Sequence, residues 1–216
     1  MDETRFHRQL DLVRPEALNM PITVVGAGGI GSFTVMALAK LGCGNLWVYD
    51  FDNVESHNLP NQMYREKDIG RPKVEALKDI VKEFTGTEIK AFNTKVDGKG
   101  FGGIVVFAVD SMDERMKLWK GVKYNPRVPL LIDGRMGAEV MRIFSVVPTD
   151  PDDVRHYESE LYPSSEAFAA PCTSRAIIYT AFSVAALIAG QIKKFSVGQP
   201  YSRDITFDTR LTHMVA

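Results

Sequence analysis

Short apolar runs alternate with longer amphipathic stretches along most of the chain. Residues 22–25 are four β-branched residues that end at Gly26, and residues 32–41 have the spacing of a helix that is closed by glycines. A second β-rich run, residues 46–49, follows and ends at Asp50. This order of strand, glycine turn, helix and strand predicts a βαβ unit with a right-handed crossover.

The same alternation continues downstream and indicates the fold class. Pro72 stands where a proline commonly opens a helix, and residues 73–84 after it are amphipathic. Further strands are predicted at residues 89–93, 104–109, 129–132, 140–147, 204–207 and 211–215, and further helices at 112–122 and 173–195. We therefore predict an α/β protein with a Rossmann-like, mainly parallel sheet, flanking helices and additional antiparallel strands toward the C-terminus.

One domain over residues 1–216 is the expected organisation, because 216 residues with 45% hydrophobic content can bury one substantial core. Residues 1–20 are predicted to form an N-terminal arm. The acidic, proline-flanked residues 149–171 are predicted to form a long surface loop or crossing segment. Residues 176–193 carry almost no charge, but polar residues dilute them, so a buried helix is favoured over a membrane span.

Charge and cysteine content exclude several classes of protein. The 26 basic and 27 acidic side chains give a formal net charge of -1, so no global field attracts nucleic acid or an anionic membrane. Cys43 and Cys172 are too few for a disulfide framework and do not form a zinc-binding pair. The polar N-terminus shows no export signal, and a cytoplasmic protein is the expectation.

A glycine motif follows the first predicted strand. Gly26, Gly28 and Gly31 match G-x-G-x-x-G, with Gly29 as an additional glycine, between a strand and a helix. Glycines let the backbone approach a ligand closely, and the helix start favours a phosphate. Asp50 ends the next strand, at the spacing at which an acid binds a ribose. The motif alone is compatible with ATP, with a nicotinamide or flavin dinucleotide, or with a turn used only for packing.

Polar residues are dense after Asp50. Asp52, Asn58 and Gln62 precede Gly70-Arg71-Pro72-Lys73. A lysine at a helix start interacts unfavourably with the helix dipole, so Lys73 is more readily explained if it offsets phosphate charge. Asp110 follows another apolar strand at the carboxyl edge of the predicted sheet and is a candidate Mg²⁺ ligand.

These motifs in this order resemble the MoeB/ThiF/HesA family, the relatives of the ubiquitin-activating enzymes, over nearly the whole chain. The resemblance rests on Arg5-Phe6-His7-Arg8-Gln9, residues 26–31, Asp50-Phe51-Asp52, Asn58-Leu59, Gln62, residues 70–73 and Asp110. Cys172, just before a long helix of small residues, resembles the cysteine position of ThiF. The form without zinc-binding cysteines is the one that this chain resembles.

The resemblance implies an ATP- and Mg²⁺-dependent adenylyltransferase. Its substrate would be the C-terminal carboxylate of a small ubiquitin-like or sulfur-carrier protein ending in Gly-Gly, and its products an acyl adenylate and pyrophosphate. By position, Asp50 would bind the ribose and Asp110 the metal, while Asn58, Gln62 and Lys73 would hold the phosphates. Arg8 would reach the ATP of a second protomer, which implies a homodimer.

The chain also departs from the family pattern. Asn61 stands where the family usually has a phosphate-binding arginine, and we expect Arg65 or Arg71 to compensate partly. Cys172 is a candidate acyl or sulfur carrier or else a structural thiol, whereas Cys43 is expected to serve packing. The alternatives left open are adenylation of a small-molecule or tRNA-nucleoside carboxylate, an NAD-dependent oxidoreductase, and a catalytically weak binding scaffold.

Overall fold

The computed structural model describes residues 3–166 and 176–216, which form one eight-stranded sheet with helices on both faces. The strands are β1 (Ile22–Val25), β2 (Leu46–Asp50), β3 (Lys90–Asn93), β4 (Ile104–Phe107), β5 (Leu131–Gly137), β6 (Val140–Val146), β7 (Asp204–Asp208) and β8 (His213–Val215). The helices are α1 (Gly29–Leu41), α2 (Lys73–Thr85), α3 (Met112–Val122), α4 (Pro151–Ser159) and α5 (Ile178–Ser196).

The strand order is β3-β2-β1-β4-β5-β6-β7-β8. The five strands β1 to β5 run parallel, whereas β6, β7 and β8 pair antiparallel with their neighbours. The predicted Rossmann-like sheet with antiparallel C-terminal strands is therefore confirmed. Because the chain leaves β1 toward β2 and later returns to β4 on its other side, a crevice opens at the carboxyl ends of β1 and β4.

Two apolar layers hold the sheet. All four residues of β1 and of β4 are buried, as expected for parallel strands covered on both faces. One core combines buried residues of α1, α2 and α5 with one face of the sheet, and a second core combines those of α3 and α4 with the other face. The helix starts of α1 and α3 consequently meet the crevice from opposite faces.

Two predictions about the second half of the chain were wrong. Residues 149–171 were expected to form a long surface loop or a crossing segment; a loop throughout is wrong, because Asp150 caps α4 by accepting hydrogen bonds from the amides of the two residues after Pro151, and Val154 and Tyr157 are buried. Residues 167–171 lie outside the described part. Strand β5 also starts later than predicted. It ends later as well, because its pairing with β6 extends it to the hairpin at residues 137–140.

The N-terminal arm packs at the end of the sheet where the parallel strands begin, which is opposite the crevice at their carboxyl ends. It forms two short 3-10 turns, Glu3–Gln9 and Pro15–Leu18. The side chain of Arg5 donates to the carbonyl of Thr85 at 3.1 Å, and that of Gln9 donates to the carbonyl of Leu41 at 2.7 Å. Both carbonyls belong to helix C-termini, so the arm satisfies backbone acceptors that the helices leave free.

None of the helices in residues 3–166 and 176–216 is both long and apolar enough to cross a membrane. The preference for a buried helix over a membrane span is consistent with α5, whose residues Val184, Ile188 and Ile192 belong to the first core.

Cys43 serves packing, as predicted. It follows Gly42, which closes α1 with φ 107°, and it is fully buried. Burial raises the pKa of its thiol to about 12. A thiol with this pKa is about one part in 10,000 thiolate at pH 8.

We therefore expect no reaction of Cys43 with a disulfide reagent such as DTNB at pH 8 in the folded Cys172→Ser variant. The same variant in denaturant should release about one equivalent of thiolate product, because the unfolded thiol has its ordinary pKa. Rapid release of one equivalent from the folded protein would contradict the buried environment of Cys43.

Candidate functional site

The glycine loop closes on itself and on β4 at the crevice. Gly26 has φ +98°, and a Cβ there would lie 2.5 Å from the carbonyl oxygen of Ala108. A Cβ at Gly31 would lie 1.8 Å from the carbonyl oxygen of Gly26. A Cβ at Gly28 would meet nothing within 4 Å. Gly26 and Gly31 are thus required by packing, and Gly28 is the position at which a ligand can approach the backbone.

Helix α1 begins at this loop without a side-chain cap on Gly28. Amides at an uncapped helix start favour an anion such as a phosphate. The segment after β2 packs against the same turn: the Tyr64 hydroxyl donates to the carbonyl of Ala27 at 2.6 Å, and the Met63 amide donates to the Ser32 hydroxyl at 3.1 Å. Predicted residues Gly29 and Gln62 therefore lie in the same part of the molecule as Gly26 and Gly28.

Asp50 connects the end of β2 to the glycine loop. One carboxylate oxygen accepts a hydrogen bond from the Ala27 amide at 2.6 Å, and the other accepts from the Asp52 amide at 2.8 Å. Burial raises the pKa of Asp50, although these amides and the nearby Lys73 lower it in part. Each oxygen keeps a second lone pair, so the predicted ribose contact is compatible with this geometry.

Lys73 is brought to the crevice by Asp52. Its ammonium lies 3.0 Å from the Asp52 carboxylate, and its amide donates to the Asp52 carbonyl at 2.9 Å. The side chain is 9% exposed. The Asp52 carboxylate thus holds the predicted lysine near the glycine loop. Its negative charge offsets the unfavourable interaction between the Lys73 ammonium and the dipole at the start of α2.

The amides predicted to bind phosphate have different environments. Asn58 is buried, and its side-chain oxygen accepts from the Glu55 amide at 2.8 Å, so it stabilises its own turn. The side-chain oxygens of Asn61 and Gln62 are buried and have no hydrogen-bond partner among the described residues. The phosphate contacts of Asn58 and Gln62 stay predictions.

Arg65 and Arg71, which were expected to compensate partly for Asn61, are both paired with carboxylates, and the compensation stays a prediction. Arg65 contacts Asp68 at 2.8 Å and also pairs with Glu83, while Arg71 contacts Asp68 at 2.9 Å and Asp79 at 2.6 Å. Although burial raises the pKa of Asp68, the two arginines lower it overall. Both arginines are therefore engaged in tying residues 65–71 to α2.

Asp110 lies just after β4 and is exposed. Its carboxylate makes no hydrogen bond or ion pair with the residues that the structure describes. Those residues also contain no group of three or more His, Cys, Asp or Glu side chains that could hold a metal ion. Mg²⁺ in nucleotide sites commonly uses one or two carboxylates together with phosphate oxygens, so Asp110 fits an ion that arrives with a nucleotide.

A buried ionic cluster beside Asp110 was missed by the sequence analysis. Arg115 donates to Asp133 at 2.7 Å and to the carbonyl of Val109 at 2.6 Å. The other oxygen of Asp133 accepts from Arg135 at 2.8 Å and from the Tyr157 hydroxyl at 3.0 Å. The available sequence signals were Asp133 at the end of an apolar run and Arg135 two residues later on the same strand face, whereas Arg115 and Tyr157 come from α3 and α4.

Two predicted catalytic residues lie away from this site or outside the described structure. Arg8 is exposed on the N-terminal arm, at the opposite sheet edge from its own glycine loop. Cys172 lies outside the described residues, and its role as a carrier stays a prediction.

Sequence comparison identifies the relatives of this chain. The model of the ThiF family matches residues 8–213. The molybdopterin-synthase adenylyltransferase of Salmonella typhimurium is 30% identical over 141 residues, which cover 59% of this chain and 56% of that protein. The NEDD8-activating enzyme E1 catalytic subunit of Arabidopsis thaliana is 35% identical over 101 residues, covering 44% and 22%. The SAMP-activating enzyme E1 of Haloferax volcanii is 38% identical over 87 residues, covering 38% and 32%.

Solved structures share the fold over the whole chain. E. coli MccB with MccA superposes with a TM-score of 0.78 at 18% identity, covering 100% of this chain and 71% of that chain. PaaA superposes with a TM-score of 0.77 at 16% identity, covering 99% and 72%. At these identities the likeness concerns the fold alone.

The sheet order and the glycine loop at the switch point define a Rossmann-like protein with the architecture of a nucleotide-binding site. The match of the family model over residues 8–213 specifies the family: the chain belongs to the ThiF family. It spans between 22% and 56% of the length of the three curated relatives above.

A pair of alanine substitutions separates packing from binding in the glycine loop. Gly31→Ala should destabilise the protein by about 3 kcal/mol or more, because the new methyl group clashes with backbone. Gly28→Ala should change the free energy of unfolding by less than about 1 kcal/mol, since φ is -80° and the space is open. Urea denaturation measures both values.

Gly28→Ala should instead weaken ATP binding about tenfold in a calorimetric titration, which corresponds to about 1.4 kcal/mol of steric interference. Equal stability of the two variants would contradict the packing role of Gly31. Unchanged ATP affinity of Gly28→Ala would contradict the approach of the nucleotide to the backbone at Gly28.

Proposed function

We propose that this protein binds ATP and Mg²⁺ at the carboxyl ends of β1, β2 and β4 and adenylates the C-terminal carboxylate of a small ubiquitin-like or sulfur-carrier protein ending in Gly-Gly. The observation that carries the proposal is that three groups lie at the carboxyl ends of neighbouring strands: an open Gly28, a Lys73 ammonium held 3.0 Å from Asp52, and an exposed Asp110 that has no partner among the described residues. The names of the curated relatives, which include an adenylyltransferase and two activating enzymes, support it.

The chemistry needs charge compensation more than a general base. A carboxylate oxygen of the carrier protein would form a bond to the α-phosphorus of ATP, and the bond from that phosphorus to the bridging oxygen would break, releasing pyrophosphate. The attacking carboxylate is already ionised at neutral pH. What the site must supply is alignment and positive charge near a polyanion.

The described residues have the properties that these roles require. The uncapped start of α1 offers amides to phosphate oxygens, and Lys73 offers a cation beside them. Asp110 would hold the Mg²⁺ that neutralises phosphate charge, and Asp50 would accept hydrogen bonds from the ribose. Asn58 and Gln62 would complete the phosphate contacts. We place this activity in the cytoplasm.

A catalytically weak binding protein is the second candidate. Asn61 provides no charge, and Arg65 and Arg71 are both engaged by carboxylates. An oxyanion-binding site that lacks one cation loses rate rather than its fold. This candidate predicts ATP binding without measurable exchange of pyrophosphate.

The lysine substitution Lys73→Ala should lower the rate of ATP–pyrophosphate exchange, measured with a Gly-Gly-ended carrier protein, by about 100-fold. Lys82→Ala is the matched control, because Lys82 lies on the same helix, is exposed and pairs with Glu88 at 2.6 Å. The control should stay within about twofold of the unmodified protein.

A Lys73→Ala variant with the full exchange rate would rule out the proposed role of this lysine. In parallel thermal-shift titrations, ATP should raise the melting temperature and NAD should not, which separates the proposal from an oxidoreductase. Absence of exchange in the unmodified protein with every carrier, small-molecule and tRNA-nucleoside carboxylate would favour the binding protein.

The position of Arg8 bears on the oligomeric state that we propose. Because the arm packs at the helix C-termini, Arg8 lies at the opposite sheet edge from its own Lys73. The family resemblance assigns Arg8 to an ATP site, and from this position it could reach such a site only on another chain. We therefore propose a homodimer with two-fold symmetry in which each Arg8 completes the site of the partner.

Mixing two inactive variants tests this arrangement. Arg8→Ala and Lys73→Ala should each be nearly inactive alone, whereas an equal mixture after subunit exchange should recover about a quarter of the unmodified exchange rate. Random pairing places half of the protein in mixed dimers, and each mixed dimer has one intact site. A mixture no more active than the sum of its components would contradict the action of Arg8 on a partner.

A further inference from the structure

The loop between β4 and α3, residues 108–111, carries Asp110 and has few anchors. At its start, the Ala108 amide donates to the Val25 carbonyl at 2.8 Å. At its end, the Ser111 hydroxyl accepts from the Glu114 amide at 3.3 Å. Between these points the Val109 carbonyl accepts a 2.6 Å hydrogen bond from Arg115. The Ser111 carbonyl accepts from the Arg115 amide at 3.1 Å, so Val109 and Ser111, which flank the exposed Asp110, are both bonded to Arg115.

Arg115 is itself rigidly held. The residue is 3% exposed, and its Nε donates to Asp133 at 2.7 Å while an Nη donates to Val109. Asp133 is fully buried on β5, and its second oxygen accepts from Arg135 and Tyr157. A planar guanidinium with its donors in a fixed fork thus connects a central strand to the loop of Asp110.

The charges of this cluster explain why Arg115 can be substituted without leaving the Asp133 carboxylate unpaired. Asp133 faces two arginines, Arg115 and Arg135. Without Arg115, the carboxylate still has one guanidinium and the Tyr157 hydroxyl. Removal of Arg115 therefore leaves a neutral buried pair, which is far less destabilising than an unpaired buried charge.

We propose that Arg115, braced by Asp133, is a positioning residue that fixes the loop of Asp110 and thereby sets the affinity of the site for the divalent ion of the nucleotide. This inference rests on the proposed function. Mg²⁺ demands near-ideal octahedral geometry, so a carboxylate on a loop free to move binds it less tightly. Residues that orient a metal ligand commonly change metal affinity 10- to 100-fold.

The test measures Mn²⁺ binding rather than turnover. Free Mn²⁺ is followed by electron paramagnetic resonance in the presence of a saturating, non-hydrolysable ATP analogue. Arg115→Gln should bind Mn²⁺ about tenfold more weakly than the unmodified protein. Its affinity for the analogue without metal should stay within about twofold, because the glycine loop is unchanged. Arg115→Met is measured in the same way if Arg115→Gln does not fold.

Tyr157→Phe is the matched control. It removes a hydrogen bond from the same Asp133 carboxylate but leaves Arg115 and its bond to Val109 intact. Its Mn²⁺ affinity should stay within about twofold of the unmodified protein. Unchanged Mn²⁺ affinity in the Arg115 variant, or an equal loss in Tyr157→Phe, would overturn the proposal.

Asp110→Asn separates this inference from the proposed function. It should abolish protein-dependent Mn²⁺ binding while the analogue alone still binds. If Asp110→Asn binds Mn²⁺ like the unmodified protein, the metal role of Asp110 fails and the inference fails with it. If Asp110→Asn loses Mn²⁺ and Arg115→Gln does not, only the positioning role of Arg115 fails.

Discussion

The close approach of the glycine loop to strand β4 is the constraint on which the rest of this structure depends. A side chain at Gly31 would overlap the carbonyl of Gly26, and one at Gly26 would overlap that of Ala108. Their absence lets α1 start directly at the gap between β1 and β4. Asp50 then ties the loop to β2 through the Ala27 amide. Three neighbouring strands are thus joined where a nucleotide can bind.

Two buried carboxylates, each bound by two arginines, organise the segments on either side of that crevice. A buried carboxylate is stable only when its oxygens are satisfied, so each one dictates the position of its partners. Asp68 holds Arg65 and Arg71 and so directs the chain toward the start of α2, where Lys73 meets Asp52. The second, Asp133, braces the β4–α3 loop through Arg115.

The distribution of positive charge distinguishes this chain within the ThiF family. The resemblance leads us to expect an arginine at position 61, but Asn61 is neutral and its side-chain oxygen has no partner among the described residues. Arg65 and Arg71 are held by Asp68 and by carboxylates of α2. Lys73 is also paired with a carboxylate, but its partner Asp52 lies two residues after Asp50, which binds the glycine loop, so Lys73 is a candidate cation for that loop among the described residues.

Local sequence signals predicted most elements of the fold, and they suggested which residues form the site. Apolar periodicity, the glycine motif and Pro72 are local signals, so β1, β2 and α2 were predicted to within one residue, whereas α1 begins three residues earlier than predicted. The partners of the charged side chains become specified only when the chain is folded. Arg115, Asp133 and Tyr157 come from α3, β5 and α4, and no local pattern specifies which of them meet. Helix α4 was missed because its short, acidic sequence is stabilised mainly by tertiary packing: Val154 and Tyr157 are buried in the core that also contains Trp119 of α3 and Phe144 of β6.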